Sequence, residues 1–203
     1  MYDNQTLLQL AYDQLRLYRE ALLQPNGMVA HIYDVSNNSF SDGSSWATGN
    51  GWATAGMLRV IACIAQSSHA SAMLQQQADL FGWTASILDA AYTYADANTG
   101  LVRNHINETE SFLDAAGSML IAYSTFRLAS MAANSDQHVD AAEKIYSTVQ
   151  GRLDPFGHFF DIQTADALTF SEPGPTSPEA LAFALLLAAA REFWIRFELI
   201  IRV

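Results

Sequence analysis

One local grammar is written three times along the chain, and it restricts the fold more than any other feature. Each unit opens with a polar amphipathic helical pattern, passes through a glycine- and aromatic-containing loop with a histidine, and closes with an Ala-rich helical pattern. In the first unit Leu8, Ala11, Leu15, Tyr18 and Leu22 fall on one helical face, the loop carries Pro25-Asn26-Gly27 and His31, and the closing helix runs from Trp52. The 4-3 spacing of those apolar residues is the helical period, not the strand period. In the second unit Leu74, Ala78, Phe81, Ala85, Leu88 and Tyr92 form the face, Gly100 to Ile106 the loop, and Asp114 opens a helix to about Ala133. In the third, Ala142, Ile145, Val149 and Leu153 precede a loop at Pro155–Asp161, and Ser177-Pro178-Glu179 starts the last helix with a serine cap and a proline at the first helical position.

The loop glycines 27, 100 and 157 are too unevenly spaced for a tetratricopeptide or HEAT array. They suit helical hairpins with long loops. The opening helices are polar on one side and should face solvent, whereas the small-residue closing helices should be buried and closely packed. That is an inner ring inside an outer ring, the logic of an all-α toroid. A closed (α/α)6 toroid has twelve helices, so three hairpins form a half-barrel or an open bundle. Residues 1–194 form one partial toroid domain. The tail at 195–203 departs from the pattern, with β-branched residues and Arg196 and Arg202, and reads equally as a fraying helix, a short strand or sequence foreign to the domain.

Charge excludes several functions. The 203 residues carry 10 Lys+Arg against 21 Asp+Glu, a net charge of −11, and Lys144 is the one lysine. Such a surface repels phosphate backbones and anionic membranes, so neither nucleic acid nor membrane is an expected partner. An acidic ligand would need a pocket with its own donors. No stretch is apolar for long enough to span a bilayer. Cys63, the one cysteine, lies in an apolar run and reads as a small buried hydrophobe. Sequons at Asn4, Asn37 and Asn107 fit a secretory protein, and the expected location of the parent protein is extracellular, although the N-terminus of this chain is no signal peptide.

The densest motif is Trp46-Ala47-Thr48-Gly49-Asn50-Gly51-Trp52. Indoles stack on the apolar faces of sugar rings, and glycines let a ligand approach backbone N–H groups at a helix start. The alternative is a loop packed by its own tryptophans. Thr54 breaks G-x-G-x-x-G and no strand precedes it, so no dinucleotide is expected, and no other cofactor is implied. His31 with Asp34 is a second candidate, in the same loop as the tryptophans. His105 and His158 sit in corresponding loops, but they come from separate hairpins without metal-ligand spacing, and no metal is expected. The stretch Asn38–Gly43 lacks a calcium loop's ligands. Carboxylates placed for acid–base work are Asp42, Asp114, Asp161 and Glu179, the second and fourth of which are equally suited to capping helices.

The stretch from Trp46 through Arg59 resembles the unsaturated rhamnogalacturonyl hydrolases of glycoside hydrolase family 105, the fungal branch most closely, with the unsaturated glucuronyl hydrolases as relatives. The resemblance extends through Gly27 to His31, Gly100-Leu101, Ser111 to Met119 and Ser177 to Ala180, and covers most of residues 4–194. It implies an (α/α)6 barrel and hydration of the 4,5-double bond in unsaturated uronyl oligosaccharides left by pectin lyases. An aspartic acid protonates the enol ether, water adds, and the hemiketal collapses, without a covalent sugar.

By the same resemblance His31 and Trp52 match residues of the family's site, and together with Trp46, Thr48 and Asn50 of the tryptophan cluster they are the expected substrate-binding residues. Thr48 stands where the motif carries Arg, which removes a guanidinium able to hold a carboxylate bidentately. The family's catalytic aspartate precedes the helix that here begins near Asn4, so it is expected upstream of Met1. Asp42 and Asp114 are the in-chain fallback. The expected function is that of a glycoside hydrolase-like protein. The alternatives are a non-catalytic carbohydrate-binding remnant of the same fold and a helical interaction scaffold. The expected partners are an oligosaccharide and, through the open half-barrel edge, further copies of the chain.

Overall fold

The computed structural model describes residues 3–132, 135–154, 156, 163–165, 172–174 and 177–201. His158, Asp161 and most of the third loop lie outside them, as do Arg202 and Val203. Among the described residues there are six α-helices: α1 (Gln5–Leu22), α2 (Ala47–Ala65), α3 (Leu74–Tyr92), α4 (Ala115–Ala129), α5 (Val139–Gln150) and α6 (Pro178–Ile201). They follow the three-unit grammar, and α6 continues as helix through residue 201, which resolves the open choice for that part of the tail. Arg196 hydrogen-bonds Glu192 one turn back at 2.8 Å and so carries the helix into it.

The second helix of each pair forms an inner layer. α4 packs most extensively on α2 and α6, and α3 and α5 lie behind. Every residue of α4 except Arg127 is buried. Small residues make this layer possible. A Cβ on Gly117 would lie 2.4 Å from the Cβ of Ala47, and one on Gly51 2.9 Å from Leu120, so α2 and α4 touch nearly backbone to backbone. One apolar cluster joins α1, α2 and α3 around Met57, Ile61 and Ile64, and a second joins α4, α5 and α6 around Phe126 and Phe183.

Two expectations fail at the ends of the array. α6 is not buried all round: Ala180, Phe183 and Leu187 face the core, while Leu185, Phe193 and Leu199 are exposed. Cys63 is exposed, not buried. It lies on the face of α2 that also presents Trp52 and Arg59, turned away from α4.

The loops at the inner helices' N-terminal ends contain short antiparallel pairs that the helical patterns conceal. β1 (Ile32–Asp34) pairs with β2 (Ser39–Asp42), and β3 (Thr164–Ala165) pairs with β4 (Pro173–Gly174). Gly27 and Gly100 turn their loops with φ of 85° and 77°, a region that disfavours side chains. Adjacent loops are then zipped together. The Ala47 N–H donates to the Asn104 carbonyl at 2.7 Å, and the Ala115 N–H donates to the Gln163 carbonyl at 2.9 Å.

Candidate functional site

The backbone hydrogen bonds superimpose the first two units, and that register separates architecture from candidate chemistry. Trp46 and Asp114 are the N-caps of α2 and α4. Four residues into each helix a polar side chain reaches back to its own loop. Asn50 Oδ1 accepts from the Val29 N–H at 2.9 Å and Asn50 Nδ2 donates to the Val29 carbonyl at 3.0 Å. Ser118 Oγ accepts from the Val102 N–H at 2.8 Å. Two residues further on, the His31 N–H donates to the Ser44 carbonyl and the Asn104 N–H to the Phe112 carbonyl. His31 therefore corresponds to Asn104 and not to His105, so histidine does not recur at one structural position.

This register assigns several candidates to the frame. Asn50 is fully enclosed, and its amide also donates to the Trp46 carbonyl at 2.9 Å. Thr48 is buried. Asp114 is fully buried and caps α4 by accepting from the Ala116 and Gly117 N–H groups, each at 3.0 Å. A carboxylate held in this way satisfies orphan helix donors. Asp34 is not the partner of His31. Its carboxylate accepts from Ser36 and Asn37 and closes the β1–β2 turn, where Asn38 takes a φ of 50°.

The residues left facing open space form two neighbouring groups. In the first, His31 Nδ1 lies 2.9 Å from Asp42 Oδ2, and the imidazole is 4.7 Å from the Trp46 ring. Burial pushes the Asp42 carboxyl up, but hydrogen bonds from Ser44 and His31 outweigh it, and the net pKa is lowered. Trp46 Nε1 donates to Asn104 Oδ1 at 3.0 Å, so the second loop holds the first loop's indole in place. His31 borders a cleft of about 380 Å³ between α1 and the hairpin, shared with Tyr18, Leu17, Tyr33 and Val35.

The second group surrounds Trp52, whose side chain is 40% exposed. It does not share the Trp46 contacts, because six residues of helix turn the two indoles to different sides. Trp52 Nε1 donates to Glu179 Oε1 at 3.3 Å, Phe183 meets its ring edge-on at 5.3 Å, and the Arg59 guanidinium carbon is 5.9 Å from its centroid. A hollow of about 220 Å³ joins Trp52 to Leu15 and Tyr18. Tyr18 lines both cavities and makes them one surface of aromatic rings with His31 at one end and Trp52 at the other. Asn104 and Tyr18 were not distinguished by sequence reasoning. Asn104 is marked by its homologous place in the repeat, whereas the exposed side of Tyr18 carries no signal.

Among the described residues no three of His, Cys, Asp and Glu converge as a metal cage, and no helix is long and apolar enough to cross a membrane.

No family model and no curated protein matches the chain. Solved structures do. A possible member of glycoside hydrolase family 105 from Klebsiella pneumoniae is 18% identical over 93% of this chain and 50% of its own, with a TM-score of 0.74. A family 105 glycoside hydrolase from C. acetobutylicum is 14% identical over 95% and 59%, with a TM-score of 0.75. An unsaturated glucuronyl hydrolase from Bacillus sp. GL1, responsible for glycosaminoglycan degradation, is 17% identical over 89% and 52%, with a TM-score of 0.62. The fold is that of a six-hairpin (α/α)6 glycosidase. The three hairpins span about half the length of these neighbours.

Proposed function

We propose that the chain recognises the unsaturated uronyl end of oligosaccharides derived from rhamnogalacturonan, as part of a secreted glycoside hydrolase-like protein. The observation that carries this reading is the aromatic surface from His31 to Trp52 at the N-terminal ends of the inner helices. Aromatic faces suit the C–H faces of a sugar ring, while a half-buried imidazole and carboxylate suit its hydroxyls. The unsaturated glucuronyl hydrolase among the structural neighbours supports the substrate class.

The family reaction would proceed by protonation of the enol ether and addition of water, steps that need an acid within hydrogen-bond reach of the alkene carbon. Asp42 is poorly suited to that role. Its lowered pKa keeps it ionised at neutral pH, where it orients His31. Asp114 is enclosed and occupied by helix N–H groups. These two environments favour binding and orientation over proton donation by this chain.

Calorimetry with the 4,5-unsaturated rhamnogalacturonan disaccharide, alongside its alkene absorbance, tests the reading. Residues 1–203 are expected to bind without appreciable loss of absorbance. Turnover abolished by Asp42→Asn would place the acid in the groove, and absence of binding would overturn the substrate assignment.

A further inference from the structure

We propose that Arg59 is the carboxylate-recognising residue of the Trp52 site, so that the ligand stacked there is an acidic sugar whose carboxylate pairs with this guanidinium. The proposal rests on the oligosaccharide reading above and adds the residue that selects the charged sugar.

An acidic chain repels an anionic ligand unless a cation is placed for it. The net charge is −11, and among the described residues most basic side chains are already engaged. Arg16, Arg191 and Arg196 pair with Glu20, Glu143 and Glu192. Arg103, Lys144 and Arg152 donate to backbone carbonyls. Arg127 lies against Phe193, and Arg19, although next to Tyr18 in sequence, is turned onto Trp83, which stacks on Tyr12. Arg59 is exposed and makes no hydrogen bond or ion pair with the described residues. It does reach the site.

Seven residues separate Trp52 from Arg59, two turns on one face of α2. Helical side chains lean toward the N-terminus, and the guanidinium accordingly comes back to 5.9 Å from the indole centroid. Thr48, at the position where the resembling motif carries Arg, is buried and cannot supply a charge. Glu179 opposes an anion, but its carboxylate accepts from the indole N–H, at the ring edge and not over its face. It can take a sugar hydroxyl while Arg59 holds the carboxylate with two parallel N–H bonds.

The test compares the unsaturated disaccharide with its uronate methyl ester, binding to the intact chain, to Arg59→Met and to Arg59→Lys. Arg59 is exposed, so thermal melts of the three proteins are expected to coincide. Wild type should prefer the acid to the ester by about 10- to 100-fold, the range of a charge-assisted bidentate contact. Arg59→Met should bind both equally and lose the salt dependence of acid binding, and Arg59→Lys should recover part of the preference. An acid preference retained in Arg59→Met overturns the proposal and leaves the oligosaccharide reading intact. A wild type that binds neither ligand overturns both, and one that binds acid and ester equally overturns the role of Arg59 alone.

Discussion

Replacing Asn50 by alanine separates a structural clamp from a sugar contact. The substitution leaves the Val29 N–H without its acceptor at 2.9 Å and the Val29 carbonyl without its donor at 3.0 Å, both at a residue only 2% exposed. Each buried, unsatisfied backbone group costs about 1–3 kcal/mol. The Trp46 carbonyl loses the side-chain donor but keeps the Asn50 backbone N–H at 3.0 Å, so it adds little. The expected loss is about 2–6 kcal/mol, reduced toward the lower end wherever water enters the vacated space. With a central value of about 3 kcal/mol and a urea slope of about 2 kcal/mol/M, the unfolding midpoint falls by roughly 1.5 M. Ser118→Ala, which strands one donor in the second unit, should cost less. Urea unfolding followed by circular dichroism measures both. A loss below about 0.5 kcal/mol for Asn50→Ala, the range of ordinary surface changes, would refute the clamp.

Gly117→Ala should lower the thermal midpoint. Its Cβ would stand 2.4 Å from that of Ala47, and overpacking of about 1–3 kcal/mol outweighs a helix-propensity gain of about 1 kcal/mol; a raised midpoint contradicts the close α2–α4 contact. Because the Asp42 pKa is lowered, its contribution to stability is complete above the ordinary carboxylate value of about 4 and disappears as pH falls through the lower folded value. Asp42→Asn should therefore flatten that part of the acid-unfolding curve, and an unchanged curve counts against the His31–Asp42 contact. Leu7, Leu10 and Leu17 are about half exposed or more on α1, as are Leu185 and Leu199 on α6, and apolar patches of this kind drive association. Light scattering should give a mass above the 22.3 kDa monomer, and a dilute stable monomer contradicts self-association.

The helical period carried most of the architecture, because Leu8, Leu15 and Leu22, or Ala142, Ile145 and Val149, bury one face whatever lies beyond it. Glycines 51 and 117 mark where inner helices meet. The short strands escaped detection because Ile32–Asp34 and Ser39–Asp42 are held by backbone pairing around an Asx turn, and neither buries an alternating apolar face. The site was legible as a set of residue types but not as an arrangement. Trp46, Asn50 and Trp52 are adjacent in sequence, yet helix geometry sends one into a loop contact, one into the core and one to the surface. Whether a polar residue serves the frame depends on which backbone groups need partners, and that is decided by a loop twenty residues away. The exposure of Cys63 followed from the same cause, since an apolar run does not specify which face of an inner helix has a neighbour.

Four tryptophans offer one direct test of the groove. Trp52 lines it and Trp46 packs on His31 beside it, whereas Trp83 stacks on Tyr12 and Trp194 lies against Phe126. Titration of the chain with the unsaturated disaccharide, followed by the four indole N–H resonances, should shift those of Trp52 and Trp46 and leave those of Trp83 and Trp194 in place. Shifts confined to Trp83 or Trp194, or no shift at saturating ligand, would contradict a carbohydrate site at the N-terminal ends of the inner helices.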